Sequence, residues 1–106
     1  MKANEVMMGD WVVGGSGEPF KIGIIDPDFL YWNEIQPIPL TIEILKKNGF
    51  IEESRDCYGK PLQYCVLIDG LWIDITGENY FEGELKFVHQ LQHALMVCEI
   101  EKEIIL

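Results

Sequence analysis

Leu62-Gln63-Tyr64-Cys65-Val66-Leu67-Ile68-Asp69-Gly70-Leu71-Trp72-Ile73-Asp74-Ile75-Thr76 carries the strongest secondary-structure pattern of the chain. Two runs of apolar, β-branched and aromatic residues flank Asp69-Gly70, a pair that favours a two-residue hairpin turn. The stretch therefore predicts strands over residues 62–68 and 71–76. Downstream, Gly77-Glu78-Asn79 reads as another turn, and Tyr80 to Val88 as a further strand broken by Gly83. Over residues 89–98 the period changes: Leu91, Leu95 and Cys98 fall on one stripe with Ala94 beside them, which predicts a second helix.

Upstream, Thr41 has the chemistry of a helix N-cap, with Glu43 near the positive end of the dipole and Lys46 and Lys47 in the last turn. Gly49 suits the left-handed position after the helix, and Phe50 can fold back onto it. Gln36-Pro37-Ile38-Pro39-Leu40 must be extended, because prolines at alternate positions exclude helix and block continuous strand pairing. Before them, three runs read as strands: Trp11-Val12-Val13, Phe20 to Ile25, and Phe29-Leu30-Tyr31-Trp32. They are joined by the Gly14–Pro19 loop and the Asp26-Pro27-Asp28 turn. The expected fold class is α+β, as one β-rich domain over residues 1–106. Its parts are an N-terminal SH3-like three-strand meander, a short central helix, a second β-hairpin and a C-terminal helix.

The chain has 106 residues, 18 acidic and 8 basic, for a formal net charge of −10. Neutralising phosphates needs clustered Lys and Arg, and this chain has one arginine, Arg55, so direct nucleic-acid binding is not expected. No apolar run approaches the roughly 20 residues that span a bilayer. The polar start Met1-Lys2-Ala3-Asn4-Glu5 has no apolar signal region, and the expected location is the cytoplasm. Three cysteines, Cys57, Cys65 and Cys98, are an odd number without a Cys-x-x-Cys pair, which suits a reducing compartment. Cys65, inside an apolar run, reads as a small core residue.

Met1-Lys2-Ala3-Asn4-Glu5 followed by Gly9-Asp10-Trp11-Val12, then Pro37-Ile38-Pro39-Leu40-Thr41, Asn48-Gly49-Phe50 and Val88-His89-Gln90-Leu91-Gln92 together carry a resemblance that covers the whole chain in order. The chain resembles a family of small prophage- and mobile-element-associated proteins of anaerobic gut bacteria. The family's segments read close to MKANELRIGNWV, PIPLTEEWLLKFGF and VHQLQNLYFALTGEEL. This chain departs from them at Asp10 (Asn in the pattern), at His93-Ala94 (Asn-Leu) and over Val97-Cys98-Glu99-Ile100-Glu101. The resemblance brings no catalytic residues with it. It implies that a function needing both His89 and His93 would be peculiar to this chain.

The candidates for chemistry are few. His89 and His93, four apart on the predicted helix, share a face and have a spacing found in zinc sites, but zinc needs a third and usually a fourth ligand. The plainer reading has the His89 ring bonded to backbone at the helix start and His93 exposed. No metal and no cofactor is expected. Gln92 reads as a hydrogen-bond partner for a sheet edge or loop backbone. Asp26, Asp28 and Asp69 read as turn formers. Cys57, as a nucleophile, lacks an oxyanion-hole motif. Gly14-Gly15-Ser16-Gly17 lacks the lysine and the following helix that phosphate binding requires. Tyr31 and Trp32 are adjacent on a predicted strand, so their rings point to opposite faces and one should lie outside the core.

Tyr31, Trp32, His89 and Gln92 are therefore the candidate binding residues. The function expected is protein–protein interaction without catalysis, by a module of phage or mobile-element origin. One alternative is an acidic inhibitor that mimics nucleic acid with Glu18, Asp26, Asp28, Asp69 and Asp74 on one face. The other is a small metal-dependent or hydrolytic enzyme using His89. The expected partner is another protein, with no direct nucleic-acid or membrane contact. A homodimer through Ile104-Ile105-Leu106 is a further option.

Overall fold

A computed structural model describes residues 6–15, 17–23, 34–53 and 60–106. They form an α+β fold with two helices and two sheets, and they divide into two compact units: Met1–Pro39 with Phe87–His89, and Leu40–Lys86 with Gln90–Leu106.

In the first unit, β1 (Trp11–Val13) lies between β2 (Pro19–Lys21) and β3 (Gln36–Pro37), antiparallel to both. The third strand expected at Phe29–Trp32 lies outside the described residues. Among the described residues the third strand of this sheet comes from the proline-rich segment. Pro37 has no N–H to give a ladder, so its strand sits at an edge and pairs over two residues only. Pro39 then makes a single bridge with Phe87. Ahead of β1, Gly9 takes a φ of +90°, and the Asp10 carboxylate accepts the Met7 amide at 2.8 Å. The two residues form the turn that starts the strand. Val6, Val12, Ile22 and Ile35 make up the buried cluster here.

The second unit opens with α1 (Ile42–Lys47). Thr41 Oγ1 accepts the Ile44 amide at 3.3 Å, as its N-cap chemistry predicts. At the other end the Gly49 amide donates to Lys46 O (3.2 Å) and the Phe50 amide to Leu45 O (2.9 Å), with Gly49 at φ +85°. This is the paired bonding that closes a helix on a left-handed residue, and Phe50 is buried against it as expected. Asn48, at the cap, is buried too. Its Nδ2 donates to Ile44 O (2.8 Å) and Ile105 O (2.7 Å), and its Oδ1 accepts the Ile105 amide (2.7 Å). Lys47 Nζ donates to Leu106 O at 2.5 Å. The C-terminal segment is thus tied to the end of α1 through its backbone, and Ile104 is buried within its own chain.

The sheet of this unit runs β4 (Ile51–Glu52), β5 (Leu62–Leu67), β6 (Gly70–Thr76), β7 (Tyr80–Leu85), parallel at β4·β5 and antiparallel elsewhere. The hairpin predicted by the opening stretch is present with its turn one residue earlier. Leu67 pairs with Gly70, leaving Ile68-Asp69 as the loop. Neither loop residue has a positive φ, because a β-branched isoleucine strongly resists that region. Gly70 serves the strand instead. The Glu84 carboxylate lies over it, so that a Cβ at this position would come within 2.5 Å of Glu84 Oε1.

Helix α2 (Val88–Val97) begins in the first unit and continues in the second. Leu91, Ala94, Leu95 and Cys98 are buried along the predicted stripe. The Cys98 thiol donates to Ile75 O at 3.8 Å, which ties the helix end to the inner side of β6, where Leu71, Ile73 and Ile75 are buried. Each such aliphatic side chain contributes about 1.5–3 kcal/mol on burial. The helix closes like α1, with the Ile100 amide on Leu95 O at 2.9 Å, but the left-handed residue is Glu99 at φ +58°. A Cβ is unfavourable there, so Glu99→Gly is expected to stabilise the fold by about 1 kcal/mol. Thermal denaturation should show a raised midpoint; a lowered one would mean that the Glu99 side chain contributes more than its backbone costs.

Candidate functional site

His89, the residue best suited to act as base or ligand, sits in the first turn of α2 and is only 7% exposed. Its ring stacks on Phe87, with centroids 5.9 Å apart and planes 12° from parallel. His93 and Gln92 are half-buried. At the helix start Gln90 Oε1 accepts the Lys86 amide at 2.9 Å. Among the described residues no three His, Cys, Asp or Glu side chains group so that they could hold a metal ion. Tyr31, Trp32, Cys57, Asp26 and Asp28 lie outside the described residues. The Trp11 ring carries the Lys21 ammonium 5.3 Å from its centroid.

The surface with the most to offer is the outer face of the four-stranded sheet. Its origin is the alternation of β6. Leu71, Ile73 and Ile75 are buried, so the residues between them, Trp72 and Asp74, point the other way. Register then places Cys65 on β5 beside Trp72 and Glu84 on β7 at its other side. Gln63 and Glu82 flank Asp74 in the same manner, and Ile51 follows Gln63 across β4. Cys65 was expected in the core. It is half-exposed on this outer face, because the β5 residue that points inward is its neighbour Tyr64, which is buried. The buried thiol is that of Cys98, and burial raises its pKa, which keeps it protonated and unreactive.

The outer face has two sides. Cys65, Trp72 and Leu67 make an apolar column over β5 and β6, continued by Ile68 at the hairpin tip, which is 99% exposed. Asp74, Glu82 and Glu84 make an acidic column over β6 and β7. None of the four strands contains a lysine or arginine. The Tyr80 hydroxyl donates to Glu82 Oε2 at 2.7 Å and holds that carboxylate in place. The hydrogen bond to Glu82, with smaller contributions from desolvation and the charges of Asp74 and Glu82, raises the Tyr80 pKa. The hydroxyl stays neutral well into the alkaline range, and whatever it adds to stability is fully present below the ordinary tyrosine value and is lost as pH rises from there through the raised one.

The outward placement of Trp72 is readable in the period-two pattern of residues 71–76, although Tyr31-Trp32 is the more conspicuous aromatic pair of the sequence. No family model, no curated protein and no solved structure matches the chain. No helix among the described residues is long and apolar enough to cross a membrane.

Proposed function

We propose that this chain is a non-enzymatic protein–protein interaction module that works through the outer face of its four-stranded sheet. The observation that carries the reading is the half-buried Trp72 set among Cys65 and Leu67 on one side and Glu84 on the other. A large ring bordered by apolar surface and by charge is the composition of an interface anchor. A mobile-element origin, implied by the resemblance, fits a small acidic module acting on a cellular protein.

The reading is preferred to an enzyme using His89, whose ring is buried and stacked on Phe87. It is also preferred to a homodimer through Ile104, Ile105 and Leu106. Ile104 is buried in its own chain and the Ile105 backbone is already bonded to Asn48. Of the acids expected to mimic nucleic acid, Asp26 and Asp28 lie outside the described residues, Glu18 belongs to the first unit and Asp69 to the hairpin loop, so a mimicry case on this face would rest on Asp74 with Glu82 and Glu84 instead.

The test compares capture from cell lysate by the wild-type chain and by a Trp72→Ala, Leu67→Ala variant whose circular dichroism is unchanged. A partner retained by the wild type and lost with the variant is expected. Equal recovery by both would remove the outer face from the function. Release of the captured partner by added duplex DNA would identify the mimicry case.

A further inference from the structure

We infer that the outer face receives a basic amphipathic helix of the partner protein, its cationic row over Glu82 and Glu84 and its apolar row over Trp72, Cys65 and Leu67. This rests on the reading that the face is the interface.

The charge of the occupant follows from the face. Three carboxylates line one side of it with no lysine or arginine in any of its strands, so an acidic or neutral occupant would leave them uncompensated. The Tyr80–Glu82 hydrogen bond and the Glu84 side chain lying over Gly70 hold two of these carboxylates on the sheet, where a cation can meet both. Glu82 and Glu84 stand two residues apart on one strand, a rise of about 7 Å. Positions i and i+4 of a helix are separated by about 6 Å along its axis.

Helical form follows from the layout of the two columns. Glu82 and Glu84 line β7, and Trp72 on β6 with Cys65 and Leu67 on β5 lie beside them across the sheet. An extended chain lying on the sheet presents one row of side chains to it, because alternate residues point away. A helix presents adjacent rows at once, and its width of about 10 Å matches two strand spacings of about 4.8 Å each. An arginine in the cationic row can place its guanidinium against the Trp72 ring while pairing with Glu84, two interactions that reinforce each other.

The test uses the full chain and two synthetic helical peptides of about 18 residues, roughly five turns. One carries a leucine row beside an arginine row; in the other every arginine is glutamate. Binding is followed by the NMR signal of the Trp72 indole N–H, assigned with a Trp72→Phe variant. The arginine peptide is expected to shift that signal, to bind more weakly as salt is raised, and to lose roughly tenfold in affinity against Glu82→Lys, Glu84→Lys. The glutamate peptide is expected to bind that double variant better than the wild type. Equal binding of both peptides to the wild type, or an unchanged affinity of the arginine peptide for the double variant, overturns the inference. So does Trp72-dependent capture from lysate combined with no binding of the arginine peptide; in that case the interface stands and the partner chemistry assigned here falls.

Discussion

Asn48→Ala is expected to lower the stability of the fold by about 3 kcal/mol. The side chain is 2% exposed and makes three hydrogen bonds, to Ile44 O, Ile105 O and the Ile105 amide. A typical hydrogen bond is worth about 1 kcal/mol net, and a buried backbone group left unpaired costs more. The Ile105 amide and carbonyl are the two groups at risk. Urea denaturation should show a lower midpoint.

Asn48→Asp sharpens the test. The introduced carboxylate can still accept the Ile105 amide but faces the Ile44 and Ile105 carbonyl oxygens with no proton to give. The folded state then favours the protonated acid, so the introduced group has a folded pKa above its unfolded value of about 3.9. Stability is fully present below that unfolded value and is lost as pH rises through the folded one. A variant as stable at neutral pH as in acid would show that the amide donors of Asn48 contribute little.

Gly77→Ala is expected to cost about 2–3 kcal/mol, the upper part of the range for overpacking. A Cβ on Gly77 would overlap the Cys98 carbonyl oxygen and stand 2.8 Å from Ile100 Cγ1. The obstruction is backbone, which cannot rotate aside. The same carbonyl accepts the Glu78 amide at 3.0 Å, and Asn79 Nδ2 donates to Val97 O at 2.9 Å, so the β6–β7 turn is docked on the end of α2 through bonds the methyl group would disturb. Gly23→Ala, at a glycine with nothing within 4 Å of the added Cβ and no positive φ, is the control and should leave the midpoint almost unchanged. An unchanged midpoint for Gly77→Ala would show that the turn shifts to accept the methyl group without strain.

The elements that were legible in the sequence are those with local causes. Thr41, Gly49 and Phe50 mark the ends of α1 because a cap and a left-handed residue act within one turn of chain. Leu91, Leu95 and Cys98 mark the buried side of α2 because helical period alone brings them to one stripe. The hairpin after Leu62 was legible as two apolar runs about a turn, while the turn falls one residue earlier than Asp69-Gly70, which moves each cross-strand partner by two and keeps every side chain on its face. Asp69-Gly70 has the composition of a primed turn, but Gly70 leaves room for the Glu84 carboxylate, a neighbour fourteen positions away. The third strand of the small sheet escaped for a similar reason. Nothing in Gln36-Pro37 favours a strand until Val12 and Val13 offer it an edge.

The class of the fold, the ends of its helices and the acidity of the chain can be read from the residues alone, since each follows from residues close together or from a sum over all of them. Which residues meet is a matter of how the elements pack. Packing put Asn48 against Ile105, brought Gly77 onto the Cys98 carbonyl, buried His89, turned Cys65 outward, and set Trp72 between Cys65 and Glu84. Those pairings depend on strand register and on the docking of distant backbone, and a shift of one residue in register would send every side chain of a strand to the opposite face.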